Sequence, residues 1–191
     1  MSEVSINLWI KNNLHAPWLT EIMQFITKLG NTGAVWIGIN LIILIYTFLK
    51  YKKISASALL ALTILLSGWL INDLVLKNIF NRDRPFLVSE EISAFLSEIN
   101  FKLPSGSSFP SGHSFSSMEQ ALVLTFYNKK FGFLTIPLGV LIAFSRLYLG
   151  VHYLTDVLTG ASLGILFAFI FFAFNEKLKN SEKLKNSKYF K

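Results

Sequence analysis

The sequence predicts an all-α integral-membrane helical bundle, with five to six transmembrane helices and an N-terminal amphipathic segment. Two features of the composition point to this fold class: 52% of the 191 residues are hydrophobic, and only 15% are charged. A soluble domain of this length would expose much of that apolar surface, so a bilayer is the simpler solvent. The third observation is a series of apolar stretches about long enough to cross a hydrocarbon core of about 30 Å.

Residues 1–30 are the predicted amphipathic segment. Apolar side chains recur there at roughly helical spacing, Pro17 divides the segment, and Trp9 and Trp18 suit the headgroup level of a membrane. We expect one or two helices that lie at the interface. Two alternatives stay open: a short packed helix without functional consequence, and a re-entrant pair over Leu8–Ile26.

The transmembrane domain is predicted at residues 31–175, on the basis of five stretches. Four of them are apolar and uncharged: Leu29–Leu49, Ile54–Asn72, Phe131–Ser145 and Val157–Asn175. The fifth, Ser114–Asn128, carries Glu119 and Gln120. It is expected to cross only inside a bundle, where these polar groups find partners.

Lysines set the predicted orientation. They cluster in the connections at 50–53 and 128–130 and in a basic tail at 176–191, and the net charge is +7. If the five stretches cross alternately, all three clusters fall on one side, which the positive-inside rule makes the cytoplasm. The six lysines after the last apolar stretch suit anionic lipid better than nucleic acid: Lys177, Lys179, Lys183, Lys185, Lys188 and Lys191.

The remaining loops, from Lys77 to His113 and around Arg146–Asp156, then lie outside the cell, and three chemically distinctive segments lie in them. In the first, Lys77 and Arg84 are seven residues apart and share a helix face if the helix continues to Pro85. Two such cations can clamp a phosphate, since lysine supplies a point charge and arginine a planar fork. The alternative is an interfacial basic cluster, in which Lys77 pairs with Asp73 one turn earlier.

The second segment is Ser111, Gly112 and His113, at the start of the third apolar helix. A helix N-terminus offers backbone N–H groups to an anion, Ser111 adds a hydroxyl, and Gly112 permits a close backbone approach. His113 is a candidate proton donor to a leaving oxygen. The alternative is a turn whose serine simply caps the helix.

The third segment contains Arg146, His152 and Asp156. His152 and Asp156 are four residues apart, so the carboxylate can reach one imidazole nitrogen and leave the other to attack phosphorus. Arg146 would be a third cation for the phosphoryl oxygens. The alternatives are a helix cap for Asp156, before Val157, and an interfacial histidine for His152.

Together the segments give Lys-x6-Arg-Pro, Pro-Ser-Gly-His and Ser-Arg-x5-His-x3-Asp, within Ile54 to Phe174. The chain thereby resembles the type-2 phosphatidic acid phosphatase superfamily. This resemblance implies that His152 forms a phosphohistidine, that Asp156 orients it, and that His113 protonates the leaving group and then activates water. It also implies that the phosphoryl oxygens are held by the other motif residues: Lys77, Arg84, Ser111, Gly112 and Arg146. No metal and no cofactor are implied.

The resemblance predicts a metal-independent lipid phosphatase in the cell (inner) membrane, with its site facing the periplasm or exterior. Relatives act on undecaprenyl diphosphate, on phosphatidylglycerol phosphate with phosphatidic acid, or on lipid A phosphates, and the sequence does not choose among them. Two other functions stay open: a lipid phosphotransferase that uses the same site, and a non-catalytic lipid-binding membrane protein. Bacterial members commonly have six spans, whereas here the amphipathic segment stands in place of the first.

Overall fold

The protein, represented by a computed structural model, is described over residues 2–180, and every regular element within them is helical. Four lysines of the predicted tail lie outside the described residues: Lys183, Lys185, Lys188 and Lys191. In chain order the helices are α1 (Glu3–Leu14), α2 (Pro17–Leu29), α3 (Ala34–Tyr51), α4 (Ala56–Leu70), α5 (Lys77–Phe80), α6 (Pro85–Val88), α7 (Glu90–Glu98), α8 (Gly112–Tyr127), α9 (Gly132–Tyr148) and α10 (Leu154–Asn180).

The N-terminal segment folds as two helices that meet at Pro17. Ser2 caps α1 by accepting the backbone N–H of Ser5, and Pro17 begins α2, where its missing N–H costs no hydrogen bond. Trp9 and Trp18 are exposed, 53% and 65% of their surfaces. The opposite faces pack on the bundle, α1 against α7, α9 and α10, and α2 against α9. The location of the pair at the membrane interface stays a prediction.

Four stretches of the described chain are long and apolar enough to cross a membrane: Asn31–Tyr51, Ala56–Val88, Lys129–Tyr148 and Leu154–Lys177. Each overlaps one of the four uncharged stretches predicted from the sequence. Their outward side chains are apolar and exposed, as Ile42, Phe133, Leu134 and Phe169 illustrate. The prediction of an all-α integral-membrane fold is confirmed, because such surfaces require lipid.

Helix α8 lies inside the bundle, packed chiefly against α10 and α9 and also against α4. Its polar residues face inward, where Glu119 and Gln120 are fully buried. Gln120 finds a partner as expected, since its Oε1 accepts a 2.9 Å hydrogen bond from Asn40 of α3. The same expectation is wrong for Glu119, because neither of its carboxyl oxygens has a hydrogen-bond partner among the described residues. Close packing with α10 depends on Gly160 and Gly164, since a Cβ on either would collide with the backbone of α8 or its cap. The 16 residues of α8 extend about 24 Å, short of a full crossing.

The chain between α4 and α6 departs from the predicted geometry. A π-helical turn, Ile71–Leu76, connects α4 to α5, and α5 ends at Phe80. The expectation that the helix continues to Pro85 is therefore wrong. Asn81 adopts the left-handed conformation, which asparagine tolerates at a helix end, and Pro85 keeps Arg84 extended.

Candidate active site

His152 lies in the turn before α10, with 2% of its surface exposed. Its Nε2 is 3.2 Å from Nη1 of Arg84, and its Nδ1 is 3.5 Å from Oδ2 of Asp156. Because a guanidinium only donates hydrogen bonds, a neutral His152 accepts at Nε2 and carries its proton on Nδ1, toward the carboxylate. This tautomer presents the Nε2 lone pair as a nucleophile.

The electrostatic surroundings keep His152 neutral. Burial lowers the pKa of this histidine well below its ordinary value, and the positive charges of Arg146, Arg84 and Lys77 lower it further. An imidazole in these surroundings is uncharged at neutral pH, which is the state that nucleophilic attack requires.

Asp156 is fully buried in the first turn of α10, and its two oxygens have different donors. Oδ2 accepts the backbone N–H of Tyr153 at 2.8 Å, which caps the helix. Oδ1 accepts a 2.7 Å hydrogen bond from Nη1 of Arg82, whose other terminal nitrogen pairs with Glu3 of α1. The carboxylate faces His152, as the first interpretation expects. The alternative of a cap before Val157 is wrong in position, because α10 begins at Leu154 and Asp156 lies inside its first turn.

Arg84 is buried and joins the motif segments together. Besides its contact with His152, its N–H groups donate to four backbone carbonyl oxygens: Gly106 (3.0 Å), Val151 (2.9 Å), Ser105 (3.2 Å) and Ser107 (3.1 Å). The guanidinium therefore fixes the loop before α8 against the turn that bears His152. Of the three guanidinium nitrogens of Arg84, Nη1 is the one that contacts the side chain of His152. The other two donate to backbone oxygens.

Lys77 forms an ion pair with Asp73, one helical turn earlier. This is the geometry of the alternative interpretation of the sequence. Since α5 ends between them, Lys77 and Arg84 do not share a helix face. Lys77 nevertheless lines a cavity together with His113.

Ser111, Gly112 and His113 begin α8. Ser111 caps the helix by accepting the backbone N–H of Ser114 at 3.4 Å, as the capping interpretation expects. A Cβ on Gly112 would lie 3.0 Å from Nδ2 of Asn72, so the backbone here closely approaches the π-helical turn. His113 points toward the end of α2, where its Nε2 is 3.0 Å from Oδ1 of Asn31.

Arg146 lies near the C-terminus of α9 and is 3% exposed. Its Nη1 donates a 2.6 Å hydrogen bond to Oγ1 of Thr27, a buried residue of α2. Its Nε is buried and has no hydrogen-bond partner among the described residues. A buried donor without an acceptor costs about 1–3 kcal/mol, so this position favours an incoming anion.

A cavity of about 620 Å³ lies between α3, α4 and the start of α8. One part of its wall is apolar and consists of Ile37, Leu62, Leu65, Leu66, Trp69 and Phe115. Another part is polar and includes Asn72, Asp73, Lys77, His113 and Ser116. Within residues 2–180, no three histidine, aspartate or glutamate side chains group as metal ligands.

Four residues that contact the predicted site were missed by the sequence reasoning: Arg82, Asn7, Thr27 and Asn31. Arg82 had one available signal, its position two residues before Arg84 in an Arg-Asp-Arg sequence. The other three belong to α1, α2 and the turn after α2. No local pattern distinguishes them, because their partners lie 82 to 145 residues away in the chain.

Comparison with known sequences identifies relatives of this arrangement. The profile of the PAP2 superfamily matches residues 56–180, which contain all three motif segments. Phosphatidylglycerophosphatase B of Bacillus subtilis (strain 168) is 34% identical over 171 residues, 87% of this chain and 80% of that protein. Lipid A 4′-phosphatase of Porphyromonas gingivalis is 28% identical over 171 residues, 86% of this chain and 70% of that protein.

The fold agrees with these sequence matches. A crystal structure of a transmembrane PAP2-type phosphatidylglycerolphosphate phosphatase from Bacillus subtilis gives a TM-score of 0.74 at 30% identity. The similarity covers 94% of this chain and 87% of that chain. On the combined basis of motifs, fold and coverage, this multi-pass membrane protein belongs to the PAP2 superfamily.

Proposed function

We propose that the protein is a lipid phosphatase that forms a phosphohistidine on His152. Its preferred substrate in this proposal is phosphatidylglycerol phosphate. The observation that carries this proposal is the cavity of about 620 Å³, whose wall is apolar in one part and polar in another. An amphiphile fits such a wall, because its hydrocarbon contacts the leucines while its charged headgroup reaches Lys77 and His113. The names of the relatives favour a glycerophospholipid as the first substrate.

The phosphoryl group would occupy the buried cluster beside His152. The unpartnered Nε–H of Arg146 supplies a donor to one oxygen, and Nη1 of Arg84, now on Nε2 of His152, becomes available as the phosphorus approaches. Ser111, the backbone N–H of Gly112 and Lys77 complete the proposed set. To bind the headgroup, Lys77 exchanges part of its ion pair with Asp73 for the phosphoryl charge.

In the first step, Nε2 of His152 attacks phosphorus and the bond to the leaving oxygen breaks. The Nδ1 proton stays on the ring, which becomes a phosphorylated imidazolium stabilised by the carboxylate of Asp156. A protonated His113 donates its proton to the leaving oxygen, so the lipid departs with a free hydroxyl group rather than as an alkoxide. Burial and the positive charges around His113 lower the pKa of its imidazole, and the negative charge of a bound phosphoryl group opposes this lowering and favours the protonated form. From a lipid diphosphate, the same step would release a lipid monophosphate.

In the second step, the now neutral His113 accepts a proton from water as the water oxygen attacks the phosphohistidine. The N–P bond breaks, the electron pair returns to Nε2, and inorganic phosphate leaves. His113 regains the proton that it gave up, and His152 regains the tautomer in which Nδ1 carries the proton. Each turnover thus consumes one water, breaks the P–O bond to the lipid and forms a P–O bond to the water oxygen. No metal ion takes part in the proposed chemistry.

We further propose that the site faces the outside of the cell membrane. The support is the distribution of lysines. When α8 and the residues that flank it count as a crossing inside the bundle, the clusters at 50–53 and 128–130 follow alternate spans and would both be cytoplasmic. The turn that bears His152 and the start of α8 belong to the opposite set of connections. A membrane-impermeant inhibitor of phosphate release, added to intact cells, tests this orientation.

The decisive experiment measures phosphate release by the purified full-length protein in detergent, with a chelator and without added metal. Phosphatidylglycerol phosphate, phosphatidic acid, undecaprenyl diphosphate and lipid A are supplied in parallel. We expect release that falls to background in His152→Ala. His15→Ala is the matched control, because His15 contacts Phe95 outside the site.

A labelled substrate then identifies the intermediate. Denaturation in base during turnover should trap label on the wild-type protein, in a form that acid removes, and none on His152→Ala. Release that persists in His152→Ala would contradict the proposed nucleophile. Transfer of label to a second lipid instead of water would show a phosphotransferase.

A further inference from the structure

Residues outside the family match reach into the proposed active site. Asn7 of α1 is 2% exposed, and its Nδ2 donates to two backbone carbonyl oxygens, those of Leu147 at 3.2 Å and His152 at 3.1 Å. The first acceptor lies in the last turn of α9, and the second is the backbone of the proposed nucleophile. A single amide group therefore fixes the distance between the end of α9 and the catalytic turn.

Two further contacts come from α2 and the turn that follows it. Oγ1 of Thr27, also 2% exposed, accepts the 2.6 Å hydrogen bond from Nη1 of Arg146. Oδ1 of Asn31 is 3.0 Å from Nε2 of His113. Each contact leaves its site residue with fewer accessible rotamers, because the partner is anchored in a different segment of the chain from the site residue itself.

We propose that Asn7, Thr27 and Asn31 are positioning residues, which hold His152, Arg146 and His113 for catalysis. The N-terminal helices are on this view a component of the active site rather than only a membrane-surface attachment. The inference rests on the proposed function, because that function is what gives His152, Arg146 and His113 their roles in catalysis.

Asn7→Leu tests the most central contact, because leucine has a similar shape to asparagine but offers no donor. The substitution removes the hydrogen bonds from Asn7 to Leu147 and His152, and it leaves the residues that line the lipid cavity unchanged. We expect kcat for phosphatidylglycerol phosphate to fall about 10- to 100-fold, with KM within about twofold of wild type. Asn13→Leu is the control on the same helix, since the Asn13 amide donates to the backbone carbonyl of Trp9, within α1.

Thr27 provides a second test that does not depend on Asn7 variants folding. Thr27→Val removes the hydroxyl at nearly constant volume, and Thr27→Ser retains it. We expect kcat to fall about tenfold in the valine variant and to be restored in the serine variant. Thr20→Val is the matched control, because it also loses hydrogen bonds of a buried α2 residue, to Tyr148 and to the backbone of Ala16, and neither partner is a proposed site residue.

The outcomes separate this inference from the proposed function. Phosphate release by wild type but not by His152→Ala supports the function, whatever the N-terminal variants do. Wild-type kcat in Asn7→Leu, or equal losses in Thr27→Val and Thr20→Val, would overturn the positioning role. Absence of release from wild type would overturn the function itself.

Discussion

Gly30, at the junction of α2 and the turn that carries Asn31, leaves no space for a methyl group beside the proposed acid. Its backbone lies in the right-handed helical region (φ −81°, ψ −10°), so alanine adopts it without strain. A Cβ there would lie 2.7 Å from Cδ2 of His113 and 2.6 Å from Cγ2 of Ile142. Ordinary contact begins at 3.4 Å, so the imidazole must move by about 0.7 Å, the difference between 3.4 and 2.7 Å.

A displacement of this size at a proton donor carries a large kinetic penalty, since misplacement of a reacting group by about 1 Å costs about 100-fold. We expect Gly30→Ala to lower kcat about 10- to 100-fold, with an accompanying loss of stability of about 1–3 kcal/mol from overpacking. The assay is steady-state phosphate release in detergent, together with the melting temperature of each variant.

Gly38→Ala is the matched control for this substitution. Gly38 lies in α3, and a Cβ there would meet no atom within 4 Å. Its kcat should equal that of wild type, and its stability should not fall, because alanine is the better helix former. A wild-type kcat in Gly30→Ala would refute the reasoning, as it would show that His113 has room to move without catalytic consequence.

Three further predictions concern ionisable groups of the site. Arg82→Leu removes the charged donor to Asp156, so kcat for phosphate release should fall about tenfold at nearly constant KM; a change in KM alone would count against a role through Asp156. Lys77→Ala removes a headgroup charge from the cavity wall, so KM should rise about tenfold, and an unchanged KM would exclude Lys77 from substrate binding. For His152, the lowered pKa means that the unfolded chain binds more protons than the folded chain below about pH 6.5. The stability from this group is therefore present above that pH and is lost as the pH falls, so the melting temperature should drop less between about pH 7 and about pH 5 in His152→Gln than in wild type.

The fold class and the four long apolar stretches could be predicted because they depend on composition and length. A lipid-facing helix is apolar on its outer surface whatever its partners are. Exposed residues such as Phe133 and Phe169 therefore indicate a membrane helix from the local sequence alone. The same reasoning anticipated that Glu119 and Gln120 require a bundle interior, where the structure places them.

Backbone detail and long-range contacts were beyond the sequence pattern. The expected shared face of Lys77 and Arg84 assumed an unbroken α-helix, but α5 ends at Phe80 and the left-handed Asn81 redirects the chain between them. The spacing of His152 and Asp156 suggested one helical turn, whereas the histidine precedes α10 and meets the carboxylate from the turn. The contact between Asn7 and His152 joins residues 145 apart, and no local propensity encodes it.

The central position of α8 bears on how the chain is inserted during its synthesis. An acidic side chain near the middle of an isolated helix opposes entry into lipid by about 3 kcal/mol, so the segment that carries Glu119 is a poor substrate for insertion by itself. Its principal neighbours, α9 and α10, are translated after it. We therefore expect stable entry of α8 to depend on those later helices, because they supply most of the surface that surrounds it.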